Sequence, residues 1–245
     1  MHITYGLTTL GGIMAIDGIW LASASKRRLI LLKEIISKNG YDVELASKSL
    51  VKEEQKPSYS TLKENVYSIT RMKLENAIAE ISLGRLEQLN FNKSRNILTN
   101  KISIVSDTLV EDPDSFSQIF GKASDKLEAL SMLKRLSGRR HNVWTSTGLI
   151  IHKSIKNNFK QIPDITSGEW LGFIWTDYST VEIEELSDDI LIDLINSNSW
   201  VGKAGAYDLD GKMSEFAKVI KGEKITVLGF SSKAIINLED FLKIK

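Results

Sequence analysis

Three short stretches of the chain carry side chains suited to phosphate chemistry. In Ala22-Ser23-Ala24-Ser25-Lys26-Arg27-Arg28 an apolar run passes into a helical pattern. A strand end feeding a helix N-terminus offers free backbone N–H groups, and two hydroxyls with three cations around them make a cradle for phosphate oxygens. Cations at that end oppose the helix macrodipole unless an anion joins them. The plain alternative is a capped helix with a solvated basic first turn. The second stretch, Ser106-Asp107-Thr108, follows the apolar run Ile102–Val105. A carboxylate at the C-terminal end of an α/β strand stands where ligands bind, and suits holding a divalent cation or activating water. Read plainly, it caps a turn. The third, Gly202-Lys203-Ala204-Gly205-Ala206-Tyr207-Asp208-Leu209-Asp210-Gly211, joins small residues that permit close backbone approach to a lysine and two carboxylates. It is neither a Walker loop nor GxGxxG, and otherwise reads as a tight loop.

Two lesser clusters follow the same theme. Phe120-Gly121-Lys122 sets a lysine beside a glycine, and Leu136-Ser137-Gly138-Arg139-Arg140-His141 places cations after a helix end, where the dipole favours them. A single histidine before a strand reads as a hydrogen-bonded structural group rather than a base.

Composition narrows the chemistry. The 245 residues include no cysteine and three histidines, which excludes disulfides, thiolate metal sites, a cysteine nucleophile and a histidine-rich metal cluster. A net charge of +1 supplies no field to draw in nucleic acid or an anionic membrane. The first 24 residues are apolar, but Asp17 interrupts them and the basic residues come after, so neither a secretory signal nor a membrane span is expected. They read as a short extension, and the composition suits a cytoplasmic protein.

These clusters need elements to hold them. A strand at Gly18–Ala22 leads to a helix at Lys26–Lys38 capped by Ser25 and ended by Asn39-Gly40, then a strand at Tyr41–Ala46. Thr61–Leu83 is helical. Gly84–Lys101 is a polar inserted segment, and Lys101–Val105 is a strand ending in Ser-Asp-Thr. Ser124 caps a helix at Asp125–Leu136. His141–Ile151 is a strand, Ser154–Glu169 a loop or hairpin tip, and Leu171–Glu185 strand-like. Ser187 caps Asp188–Ile195; after the glycine-rich loop come a helical turn or two, a strand at Ile225–Phe230 and a helix at Ser232–Leu242. Alternating elements of this kind define an α/β protein.

Taken in order, the clusters resemble the Maf family of nucleotide pyrophosphatases, from about Ile19 to Leu242. Leu21 to Arg28 is similar to the family's L-A-S-x-S-P-R-R opening, Val105-Ser106-Asp107-Thr108 to G-A-D-T, and Phe120-Gly121-Lys122-Ala123 to L-G-K-P. Met132 to Val143 is close to M-L-x-x-L-S-G-R-x-H-x-V. Lys203-Ala204-Gly205-Ala206-Tyr207 matches D-K-A-G-A-Y after its first residue, and Gly222 with Val227-Leu228-Gly229 echoes the closing motif.

The resemblance implies an α/β fold: an elongated, twisted mixed sheet flanked by helices, with two lobes and a central cleft. A single domain would occupy residues 18–245 behind an extension at 1–17, with insertions at about 84–101 and 154–169. It implies hydrolysis of nucleoside triphosphates to monophosphate and pyrophosphate with Mg²⁺ or Mn²⁺. Asp107 would hold the metal or activate water. Ser23, Arg27, Arg28, Lys122 and Lys203 would bind phosphate, with Arg71 near the family's cleft lysine and Lys73 as the other candidate. Asp210 would fall at the base-choosing position. No nucleic-acid or membrane partner is implied, and members often pair as homodimers. The chain departs from the pattern at Lys26, Val105, Ser106 and Ala123. Ser47 stands where members carry an acid, with no carboxylate until Glu53 and Glu54, and Leu209-Asp210-Gly211 replaces I-Q-G. A member that binds nucleotide or a partner without turnover is the alternative.

Overall fold

Strand β1, Gly18–Leu21, is buried along its length, because it lies inside the sheet with neighbours on both edges. The chain then turns through Ala22–Ser25, and the Ser25 hydroxyl accepts from the Arg28 amide to start α1, Lys26–Lys38. Helix α1 buries Leu32 and Ile36 and ends at Asn39, after which β2, Glu44–Ser47, returns parallel to β1. The computed structural model describes residues 16–52, 61–89, 91, 101–155 and 161–243.

Helix α2, Leu62–Ser82, is capped by Thr61, whose hydroxyl accepts from the Glu64 amide. The long strands β3 (Lys101–Asp112), β5 (Arg140–His152) and β7 (Trp170–Ile183) pair antiparallel. Shorter strands finish the sheet: β4 (Ser115–Phe120) on β3, and β6 (Ile165–Ser167) and β8 (Ala217–Lys221) at opposite ends of β7. Eight strands thus form one mixed sheet in the order β2-β1-β3-β5-β7-β6, parallel across β2, β1 and β3 and antiparallel beyond. The remaining helices are α3 (Lys126–Leu136), α4 (Asp188–Asn196), α5 (Lys224–Leu228) and α6 (Ser232–Lys243).

Side-chain alternation divides the core. On one face Trp20, Val105, Ile150 and Ile174 pack against Leu74, Ala77, Ile78 and Ile81 of α2. On the other, Ile19, Leu21, Ile102 and Ile104 meet Leu32 and Ile36 of α1 and Ile235 and Leu238 of α6. At the far end of the long strands Val110, Val143 and Val181 pack with α3 and α4, joined by Tyr207 and Val227. The expected α/β architecture with two lobes is present, its cores strung along β3, β5 and β7.

Several expected boundaries move. The strand expected to stop at Val105 runs on to Asp112, because its polar residues find partners inside the sheet. The Ser106 hydroxyl lies 2.9 and 2.8 Å from the carbonyls of Ser146 and Gly229, with one proton to share between them, and Thr108 shares a hydrogen bond with Thr145 at 3.0 Å. Asp125, not Ser124, caps α3; Ser124 instead donates to Glu128. The segment read as a strand at Ile225–Phe230 is helix α5, closed by Gly229 at φ 118. Thr226, Val227 and Leu228 are buried there, where the short helix packs against β5 and β7. The second strand shifts to Glu44–Ser47. Strands β4, β6 and β8 lie where no strand was read, β6 within the 154–169 segment. Residues 1–15, most of 84–101 and Glu53 and Glu54 lie outside the described residues.

Candidate active site

The site begins with a gap in the sheet. One edge of β3 is paired with β5 throughout Ser103–Val110. On its other edge, β1 covers Lys101–Ile104 and β4 takes over only at Val110. Among the described residues no strand covers Val105–Leu109 on that side, and Asp107 sits at the middle of this window. Its place beyond the last β1 partner keeps it at the C-terminal edge of the parallel part of the sheet, where ligands bind, although β3 itself continues.

Helix α2 delivers a cation to this carboxylate. Lys73 Nζ lies 2.7 Å from Asp107 Oδ1 and donates to the Ser106 carbonyl at 3.1 Å. Lys73 is buried because it falls on the face of α2 that carries Val66, Ile69, Thr70 and Leu74. Arg71, two residues away and so on another side of the helix, donates to the Asp164 carbonyl at 3.1 Å and pairs with Glu75 at 3.3 Å. Asp164 belongs to the 154–169 segment and also accepts from Tyr67 and the Ile174 amide, docking that segment on α2 and β7. The structure therefore brings Lys73, not Arg71, to Asp107.

At the turn from β1 to α1, the Ser23 hydroxyl accepts from the Ser25 amide at 3.1 Å, and the Ser47 hydroxyl donates to the Ser23 carbonyl at 3.0 Å. Ser47 thus stands beside the cradle with a hydroxyl only. The two arginines diverge. Arg28 reaches across the sheet end, donating through Nε to the Gly229 carbonyl and through Nη2 to Thr108 Oγ1, each at 2.9 Å. Arg27 instead faces the glycine-rich loop, where Nη1 lies 3.7 Å from Asp208 Oδ1. Burial lowers the Arg27 pKa below its ordinary value, with the Asp208 charge pulling the other way.

The loop is held from below. Tyr207 and His141 are both buried, and the Tyr207 hydroxyl pairs with His141 Nε2 at 2.9 Å. Burial pushes the Tyr207 phenol up and the His141 imidazole down to about 4, so the pair is neutral near pH 7 and His141 is the structural group expected. Gly205 has φ +71 and the loop packs so tightly that a Cβ there would meet Val110 at 3.1 Å. Its amide donates to the Gly121 carbonyl at 3.0 Å, and Lys122 and Ala204 form a β-bridge, so the segments bearing Lys122 and Lys203 run side by side. Lys203 Nζ lies 3.0 Å from Asp208 Oδ2. Asp210, the base-position candidate, pairs with Lys224.

Of the residues singled out in the sequence, Arg27 and Lys203 converge on one carboxylate, with Lys122 on the adjoining segment. Asp107 has Lys73, Arg28 is engaged by backbone and hydroxyl, and Arg71 belongs to another surface. Asp208 and Lys224 were missed as partners. Asp208 had a signal: a carboxylate within the loop that supplies a cation. Among the described residues no three histidine, aspartate or glutamate side chains gather as a metal site. The donor set fits an ion bound through one carboxylate and substrate phosphates, the usual habit of Mg²⁺, with Asp107 as that carboxylate.

The chain thus combines a mixed α/β sheet with a strand-edge carboxylate and flanking cations, and comparison with known proteins gives it a family. A model of the Maf-like protein family matches residues 18–240, and the chain belongs to that family. A dTTP/UTP pyrophosphatase of Lachnoclostridium phytofermentans is 30% identical over 212 residues, covering 86% of this chain and 88% of its own. One from Clostridium acetobutylicum is 31% identical over 209 residues, 85% and 89% of the two chains. A human protein described as a probable bifunctional dTTP/UTP pyrophosphatase/methyltransferase is 28% identical over 210 residues, 86% of this chain and 30% of that one.

Proposed function

We propose that this chain hydrolyses dTTP, UTP or close analogues to the nucleoside monophosphate and pyrophosphate. The observation that carries the reading is the Lys73–Asp107 pair at the uncovered β3 edge, in a chain whose relatives are named for this activity. Lys73 fixes one Asp107 oxygen, which orients the carboxylate toward a water molecule. Asp107 takes a proton as the water oxygen bonds to the α-phosphorus and the α–β bridging bond breaks. Arg27, Lys122 and Lys203, with the Ser23 hydroxyl and the amides of the β1–α1 turn, hold the departing pyrophosphate. Mg²⁺ or Mn²⁺, held by Asp107 and the substrate's own phosphate oxygens, would neutralise the charge that develops there. The activity suits removal of unwanted nucleotides from the cytoplasmic pool, by a chain that pairs with a second copy.

Ser47 favours a second reading. A hydroxyl beside Ser23, where the family resemblance implies an acid, leaves Asp107 with less help, and suits a nucleotide binder without turnover. Pyrophosphate release from a panel of standard and modified nucleoside triphosphates, with each metal, separates the two. Release from UTP or dTTP is the expected result. Thermal stabilisation by nucleotide without release selects the binder, and neither effect overturns both.

A further inference from the structure

The positive end of α1 already has its anion. The first turn of the helix carries Lys26, Arg27 and Arg28 and no acidic residue, an arrangement the helix dipole disfavours. Asp208 comes from the far side of the sequence to meet it. Its two oxygens are divided between the cations, Oδ2 at 3.0 Å from Lys203 Nζ and Oδ1 at 3.7 Å from Arg27 Nη1. The three side chains are 19–21% exposed, so they share one layer just below the surface.

The pairing is electrostatic without being well hydrogen-bonded. Arg27 Nε and Asp208 Oδ1 are both buried and both lack a hydrogen-bond partner, although they belong to oppositely charged groups in contact. Buried polar atoms of this kind are normally satisfied. The carboxylate meets Lys203 closely through Oδ2 but leaves Oδ1 3.7 Å from Arg27, so it does not serve both cations at once. A phosphate group, with three acceptor oxygens and greater charge, would do so. The backbone around Asp208 is fixed: Tyr207 on one side is buried on His141, and Leu209 on the other is 4% exposed. An incoming phosphate can therefore displace the Asp208 side chain by rotation about its own bonds while the loop stays in place.

We propose that Asp208 is a built-in competitor for the substrate's phosphates, occupying Arg27 and Lys203 until a polyphosphate replaces it. This rests on the reading of those two cations as phosphate ligands. The displaced carboxylate stays beside the bound phosphate and repels it. It thereby weakens the hold on the triphosphate and, after cleavage, speeds the departure of pyrophosphate.

Calorimetric titration with inorganic pyrophosphate tests the proposal on the full chain, with Asp208→Asn, Asp208→Ala and Asp208→Glu. The neutral variants are expected to bind pyrophosphate about tenfold or more tightly, since like charges held together in a site cost that much or more. The glutamate variant is expected to stay near the parent. In steady state, Asp208→Asn should lower KM and, where product release limits turnover, lower kcat with it. Unchanged or weaker pyrophosphate binding in the folded neutral variants overturns the proposal and makes Asp208 a positioning residue for the two cations. Should Asp208→Asn fail to fold, Asp208→Ala, which removes the charge and the unpartnered oxygen together, answers the same question. Arg27→Ala and Lys203→Ala distinguish the two levels. If neither weakens pyrophosphate binding, the phosphate-ligand reading itself is at fault; if both do and the neutral Asp208 variants do not tighten it, only the competition is.

Discussion

Lys73 Nζ, 2.7 Å from Asp107 Oδ1 and 3.1 Å from the carbonyl of Ser106, grips the side chain and the backbone of one β3 segment from helix α2. Removing either partner leaves the other in a poorly solvated place. Asp107→Asn and Lys73→Met are each expected to cut pyrophosphate release by at least about 100-fold, the contribution typical of a positioned proton acceptor. Asp107→Asn should still fold, because Lys73 keeps its Ser106 carbonyl, and circular dichroism checks this. Arg71→Met is expected to change the rate little, since its pair with Glu75 is exposed and its other partner is Asp164.

Arg28 gives a prediction about stability. Its fork joins α1 to the Gly229 carbonyl and to Thr108, tying together three elements that are far apart in sequence. A lysine lacks the planar fork that presents two nitrogens to these two acceptors at once. Arg28→Lys is expected to destabilise the fold by about 1–3 kcal/mol. Scanning calorimetry should show the melting temperature falling by roughly 2–4 °C for each kcal/mol lost.

His141 makes stability depend on acidity. The unfolded chain protonates this imidazole near the ordinary 6.5, whereas burial lowers the folded value to about 4. Between those values the unfolded state holds the extra proton. Stability from this group is therefore fully present above pH 6.5 and is lost as the pH falls toward 4, by about 3 kcal/mol in all. Urea midpoints measured across that range should fall accordingly, and the slope should shrink in His141→Asn.

Ser47→Glu would return a carboxylate to the end of β2, beside Ser23. With a second carboxylate at the C-terminal edge of the parallel strands, the edge that β3 continues past to Asp107, the Mg²⁺ concentration needed for half-maximal pyrophosphate release is expected to fall severalfold. A metal titration of the rate checks it, and an unchanged curve would place the cation elsewhere.

Much of this site was legible from local chemistry. Ser25 and Ser187 announce helices α1 and α4, and each accepts the hydrogen bond its position implies. The course of β3 was not legible, because Ser106 and Thr108 look like a turn until Ser146, Thr145 and Gly229 are brought beside them. Helix α5 was hidden for a related reason: its β-branched residues favour a strand, and only its tertiary packing against β5 and β7 decides otherwise. Lys73 was within reach, since it keeps the spacing of Val66, Ile69 and Thr70 and shares their burial. Arg71 falls outside that apolar period. The Asp208 bridge depended on folding a loop at residue 208 against a turn at residue 27, and no local signal carries that distance.

Strands β3, β5 and β7 run unbroken from one core to the other, with thirteen register pairs between β5 and β7 alone. The two lobes consequently share their long strands, and flexing and twisting of that continuous sheet is the motion that links them. A molecule built this way is expected to melt in a single cooperative transition, which coincident calorimetric and circular-dichroism curves would show.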